Sequence, residues 1–503
     1  MNGGGRMQTP GRWTGCALEN TDALAFSLSA ASPHTAPFRH EAARLSLELA
    51  ATAYDLDVTP WQQAGWQDFS YQLDHALMTG QRLNQSEGSR LRNTVSEWMH
   101  RLARHRGHRA DPIAQVRGAL RQRENGDACR AVVMLRQEGA HCIVAIGFMG
   151  TRRLLSDWVS NLRVQRQDDM HQGFLQLAES FEDACAEIRF PSAAQAMGLA
   201  ELTLADILMA CTRPESPFRI WMAGHSQGAA VMEIFAWHLL QAGVLPQHVV
   251  GYGFASPTVT YLPCLNALAA CPVYNLIGSD DLTPRVGARW HIGRCYTLTM
   301  TDALRAACYG EADGCAAFPA VLSFTHTLTD TRATLMFVIA LLRVLREQGE
   351  TELLSLFASS ISRFLPERMA DFLGDHTDAA VLRLSRATER SLLGATGETA
   401  LPQTVMEGYA LRVRRLVARH GAKAFLQAVA LAFAAPHHLH SREPGGAPSV
   451  YQRMTGDLFC ALRPGEGCVQ TPPFSAFPTY VPVRAPRRKK RYGRTIAGQR
   501  RHF

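Results

Sequence analysis

Apolar positions along this chain follow two rhythms. Glu41–Tyr54 (EAARLSLELAATAY) repeats at helical spacing and offers Leu45, Leu47, Leu49, Ala50 and Tyr54 to a core. Thr59–Met78 continues in the helical period after Pro60. Elsewhere the apolar residues come as short unbroken runs, the mark of strands buried on both faces. Ala131–Leu135 and Cys142–Phe148 flank the polar turn Gln137-Glu138-Gly139-Ala140 and predict a hairpin. Phe218–Ala223 (FRIWMA), Val249–Ala255 (VVGYGFA) and Cys271–Ile277 (CPVYNLI) predict buried strands, and His291–Met300 predicts one more. Between and after them, helices are expected from His171-Gln172-Gly173-Phe174 to about Ile188, over Leu202–Cys211, over Ala229–Leu240 and over Thr331–Leu345. Strands alternating with helices imply an α/β layered fold with a mostly parallel central sheet. Residues 346 to about 440 read as nearly all helix, with amphipathic stretches around Leu353–Phe364 and Val405–Leu416. The expected organisation is a loose segment over 1–39, an α/β domain over 40–345, a mainly helical extension over 346–468 and a basic, disordered tail over 469–503. There is no internal repeat.

Composition refines this picture at its edges. With 47% hydrophobic and 19% charged residues the chain has enough apolar material for a sizeable core. No apolar run has the length of a membrane span; Leu335–Leu345 is too short and is followed by Arg346. The first residues lack the apolar centre of an export signal, so a cytoplasmic or peripheral-membrane location is expected, with signal-less export an alternative. The net charge of +8 is unevenly spread, because nine Lys or Arg follow from Arg484 onward and no acidic residue follows Val469. Subtracting nine from +8 leaves −1 for the rest, so the basicity belongs to a tail. The run Arg484–Arg501 is suited to peripheral contact with anionic membrane, and less so to nucleic acid. Twelve cysteines show no CxxC pair, which argues against a zinc site. The local pairs Cys264/Cys271, Cys308/Cys315 and Cys460/Cys468 permit short-loop disulfides, but buried free thiols are the expectation.

The stretch that carries chemistry is Gly224-His225-Ser226-Gln227-Gly228, which fits Gly-x-Ser-x-Gly between a strand and a helix. That context defines a nucleophile elbow: the turn is crowded, so glycines flank the serine, and its hydroxyl stands out at the end of the sheet. The start of the following helix offers backbone N–H groups to an oxyanion. A serine hydroxyl needs an imidazole to take its proton and an acid to orient that imidazole. Asp281 follows a predicted strand, with Asp280 beside it as rival; His326 and His291 are the later histidines that could serve as base.

Four blocks then resemble the class 3 (fungal-type) lipase family in that family's order: GFMGTRRLLSDWVSNL at 147–162, HQGF at 171–174, AGHSQGAA at 223–230 and SDDLTPRVG at 279–287. The family patterns are FRGT, DW..NL, H.GF, GHSLGG and D.VPR.P, and the likeness extends over about 40–330. It implies an α/β-hydrolase fold, with Ser226 as nucleophile and Asp281, directly before Leu282-Thr283-Pro284, as acid. It further implies Thr151 and the Gln227 amide as oxyanion-hole donors, Gly224 and Gly228 as elbow glycines, and His171 as a structural histidine. His326 is taken as the base, with His291 as the alternative. Met149 stands in place of the family's arginine, Gln227 in place of a leucine, and no aromatic follows His326. Arg153–Leu162 lies where the family carries its lid. The implied activity is hydrolysis of acyl-lipid esters of the triacylglycerol lipase type, with phospholipase A1 or lysophospholipase activity as the near alternative. No metal or organic cofactor is implied. A binding protein that keeps the fold without catalysis, using its basic tail, is the reading of a different class.

Overall fold

The computed structural model describes residues 38–79, 129–150, 166–262, 265–298, 316–328, 331–347, 402–434, 451 and 468–471. Its centre is an eight-stranded sheet. In chain order the strands are β1 (Gln67–Asp68), β2 (Ala131–Glu138), β3 (His141–Phe148), then a separate small pair β4 (Arg166–Gln167) and β5 (Met170–His171). They continue with β6 (Phe218–His225), β7 (Val249–Phe254), β8 (Val273–Gly278), β9 (Arg294–Leu298) and β10 (Cys468–Thr471). The sheet order is β1-β2-β3-β6-β7-β8-β9-β10. β3, β6, β7, β8 and β9 run parallel to one another, while β1, β2 and β10 join antiparallel at the two edges. The hairpin and the buried strands thus form where the unbroken apolar runs place them.

Helices cover both faces. They are α1 (His40–Asp55), α2 (Thr59–Gln63), α3 (Ser70–Thr79), α4 (Gln172–Ala184), α5 (Pro191–Ala196), α6 (Leu204–Ala210), α7 (Gln227–Gln241) and α8 (Leu265–Ala269). α9 (Phe318–Thr325), α10 (Thr331–Glu347), α11 (Gln403–His420) and α12 (Ala422–Ala434) follow. Alternate strand residues feed two cores. Trp221 and Ala223 of β6 face a layer with α1, Trp61, Trp66 and residues of α9 and α12. Ile220 and Met222 face the opposite layer with α4, α6 and α7. The all-round apolar character of β6 is therefore what a strand sandwiched between helix layers requires. Among the described residues no helix is long and apolar enough to cross a membrane.

Several boundaries differ from the sequence expectation, each for a local reason. Thr59–Met78 is broken: Gly65 at φ 87° ends α2, and the Asp68 carboxylate accepts the Ser70 N–H at 3.0 Å to start α3 afresh. The last predicted strand begins only at Arg294, so His291 lies just before β9. His326 caps the short helix α9, which Phe318-Pro319 initiates and which the apolar pattern did not announce. The segment expected to be loose from Val469 begins as strand, with Cys468 opposite Leu298 and Thr471 opposite Cys295 on the edge of β9. Cys271 is a free buried thiol, as are Cys129, Cys142, Cys185, Cys211 and Cys295, so the Cys264/Cys271 bridge is not formed. The 1–37 segment, the lid segment and the basic tail lie outside the described residues.

Candidate active site

The sheet's carboxyl edge carries the chemistry. β6 runs into Ser226, which has φ 57° and ψ −130°, and α7 begins at the next residue. A side chain at positive φ is strained by about 1–3 kcal/mol and persists only where the surroundings enforce it. Here they do: the Ser226 N–H donates to the Phe254 carbonyl of β7 at 2.9 Å, and its own carbonyl accepts from Ala229 and Ala230 at 3.0 and 3.2 Å. The two elbow glycines pack against each other; a Cβ on Gly224 would meet the Gly228 carbonyl oxygen at 2.6 Å, and one on Gly228 would strike the Phe148 carbonyl. On the other side Gly150, at the end of β3, presses against the elbow, its would-be Cβ 3.2 Å from that of Ser226. The turn after β3 and the N-terminus of α7, which the Gln227 amide opens, thus converge on the serine. Thr151 and the lid segment lie outside the described residues.

The second group stands at the end of β8, two strands from β6. Asp280 and Asp281 are both 1% exposed. Asp281 Oδ1 accepts the Thr283 N–H at 2.9 Å, and Oδ2 accepts the Tyr451 hydroxyl at 2.7 Å. Asp280 Oδ1 bonds His326 Nε2 at 3.1 Å. The carboxylate that the His326 ring meets in this structure is that of Asp280, while the Asp281 oxygens accept from Thr283 and Tyr451. Arg285 locks this arrangement, donating to Ser279, Thr325 and Leu328 carbonyls at 2.5, 3.3 and 3.1 Å and so tying the aspartate turn to the end of α9. Burial lowers the Arg285 pKa, and the charges of Asp281 and Asp280 push it back up.

His291, His171 and His225 have other partners. His291 is fully buried and bonds Glu233 of α7 through Nδ1 at 3.2 Å, while the other Glu233 oxygen accepts the Ile292 N–H at 2.6 Å. It ties the elbow helix to the approach of β9, and the structure does not place it with the aspartates. His171 is the N-cap of α4, accepting the Phe174 N–H at 3.4 Å through Nδ1 and stacking on the Phe174 ring. His225, beside the serine, has Nδ1 against the Tyr54 hydroxyl at 2.9 Å. Tyr54 and Tyr451 are the site residues that sequence reasoning missed. Tyr54 was legible only as an apolar position of α1, and Tyr451 lies 170 residues beyond Asp281 with no motif around it.

A parallel sheet flanked by helices, a strained serine between strand and helix, and carboxylates ending the second strand beyond it define an α/β-hydrolase architecture. Residues 146–289 match the family model for class 3 lipases. The span holds Ser226 and both aspartates but ends before His326 and Tyr451. Similar solved structures include the Rhizomucor miehei lipase in its propeptide complex (19% identity, 34% of this chain, 53% of that one, TM-score 0.25). A second is the Rhizomucor miehei triacylglyceride lipase (19%, 34%, 62%, TM-score 0.25). A third is the lipase of Rhizopus microsporus var. chinensis (16%, 34%, 58%, TM-score 0.24). The chain spans less than two thirds of each of these proteins. No curated protein matches it.

Proposed function

We propose that this protein is a serine carboxylic-ester hydrolase acting on acyl lipids, with Ser226 as nucleophile. The observation that carries the proposal is the forced left-handed backbone at Ser226 at the edge of the sheet where Asp280, Asp281 and His326 gather. In this reading Ser226 Oγ attacks the ester carbonyl and His326 takes its proton. The Gln227 amide and Thr151 receive the oxyanion, and Asp281 at the end of β8 is the acid that stabilises the imidazolium. His326 then gives the proton to the departing alcohol, and water releases the acyl group by the reverse sequence. A second reading of the acid is favoured by one observation, the Asp280–His326 bond at 3.1 Å; in it Asp280 orients the base and Asp281 braces the turn.

The substrate class is supported by the class 3 lipase match and by the basic tail, which would hold the enzyme on an anionic lipid surface at roughly 1 kcal/mol per charge. Triacylglycerol is the first substrate proposed, with phospholipids and lysophospholipids next. The test is purified Ser226→Ala protein against a panel of triglycerides, phospholipids and a soluble short-chain ester. Hydrolysis should fall by at least about 10⁴-fold with the fold intact, leaving only what binding and the oxyanion hole supply. A wild-type protein inactive on the whole panel would instead favour a non-catalytic binding role.

A further inference from the structure

Tyr451 is fully buried, and its hydroxyl bonds two groups at the end of β8. The Gly278 N–H can only donate, and reaches the hydroxyl oxygen at 3.2 Å; the proton therefore points to Asp281 Oδ2 at 2.7 Å. The ring of the same residue lies edge-on to His225, with centroids 6.1 Å apart, and to Phe254, 6.4 Å apart. His225 precedes Ser226, and Phe254 supplies the carbonyl that accepts the Ser226 N–H. One side chain from the far C-terminal part of the chain thus touches both halves of the candidate site.

We infer that Tyr451 is a positioning residue of the active centre: it holds the Asp281 carboxylate in its working orientation and spaces the acid turn from the nucleophile elbow. With Thr283 N–H on Oδ1 and Tyr451 on Oδ2, both oxygens are fixed, so the carboxylate cannot rotate about its last bond without breaking a hydrogen bond. A hydroxyl bond to an ionised carboxylate is stronger than a neutral one, and more so in a buried place. The consequence reaches beyond one residue. The stretch matched to class 3 lipases ends at 289, yet the chain must continue to at least 451 before the acid is held. The C-terminal part is then a structural component of catalysis and not an appendage.

This inference rests on Asp281 being the acid, and the experiment separates the two claims. In the full chain, turnover of a soluble ester is measured per active site, with sites counted by fluorophosphonate titration so that misfolded protein drops out. Tyr451→Phe should lower kcat per site about tenfold with KM changed less than about twofold, the size expected for one charge-assisted hydrogen bond. In an Asp281→Ala background the same substitution should change kcat less than about twofold, because a residue acting through Asp281 has nothing left to act on. If Tyr451→Phe does not fold, 3-fluorotyrosine in place of Tyr451 keeps the hydroxyl and makes it a stronger acid at the cost of one ring fluorine; a changed kcat per site supports the inference, and an unchanged one opposes it. An equal loss in both backgrounds, or no loss in either, overturns the role of Tyr451 while Ser226-dependent hydrolysis stands. Hydrolysis indifferent to Asp281→Ala, or to Ser226→Ala, removes the reading on which it rests as well.

Discussion

Asp280 and Asp281 are neighbours in sequence and equally buried, yet their oxygens serve different partners. The proposal that Asp281 is the acid predicts that Asp281→Asn costs several hundred-fold or more in kcat, because an amide in that place stabilises neither the imidazolium nor its correct tautomer. Asp280→Asn should cost about tenfold or less, through looser placement of His326. The reverse ranking would give the orienting role to the carboxylate that His326 touches. Among the bases, His326→Ala should approach the loss seen for Ser226→Ala. His291→Ala should keep most activity and lower stability, since it leaves one Glu233 oxygen unpartnered by its present donor in a place with no water access. At this scale the sequence was most informative where a residue's conformation is enforced by its immediate neighbours. Ser226 was legible because the strand, the two glycines and the helix are all local. The partner of His326 was not, because it depends on how α9 meets a turn 46 residues away. Nor was Tyr451, whose role exists only in three dimensions.

The elements show the same division. β6 reads as a buried strand because each of its faces meets a helix layer, and Trp221 is its largest fully buried side chain. Its ring centroid lies 5.8 Å from that of Trp61 and 5.7 Å from that of Trp66, and its indole N–H donates to Ser46 of α1 at 2.9 Å. Trp221→Ala should destabilise the protein by about 3–5 kcal/mol, and Ser46→Ala by about 1–3 kcal/mol through the stranded indole N–H. Urea unfolding followed by tryptophan fluorescence measures both. A loss under 1 kcal/mol for Trp221→Ala would mean that α1 is not firmly seated on the sheet. Because α1 also supplies Tyr54 to His225, the same variant should lower activity. The amphipathic period of α1 announced a core-facing helix, and it forms one residue beyond each end of the predicted stretch. Periodicity could not foresee that α2 and α3 are separate, because a single left-handed glycine breaks a pattern that remains apolar on both sides.

Over the whole molecule, the sheet is the part that sequence patterning captured and its edges are the part it did not. β10 joins β9 from more than 160 residues away, and such long-range pairing has no local signal. Among the described residues, Cys129, Cys142, Cys185, Cys211, Cys271 and Cys295 follow the expectation of buried, unpaired cysteines. Burial pushes Cys129 and Cys211 up to about 12, so at neutral pH almost no thiolate is present at either. Iodoacetamide on the native protein should therefore leave peptides containing Cys129 and Cys211 unmodified, while the denatured protein reacts fully; modification of either in the folded state would contradict their placement in the core. The whole account converges on one atom, Ser226 Oγ. The most direct measurement is reaction of the full-length protein with a fluorophosphonate, followed by mass spectrometry of the adducted peptide. A single stoichiometric adduct on Ser226 is expected, lost in Ser226→Ala and slowed in Asp281→Asn. An adduct on another residue, or none under conditions that label a reference serine hydrolase, would contradict it.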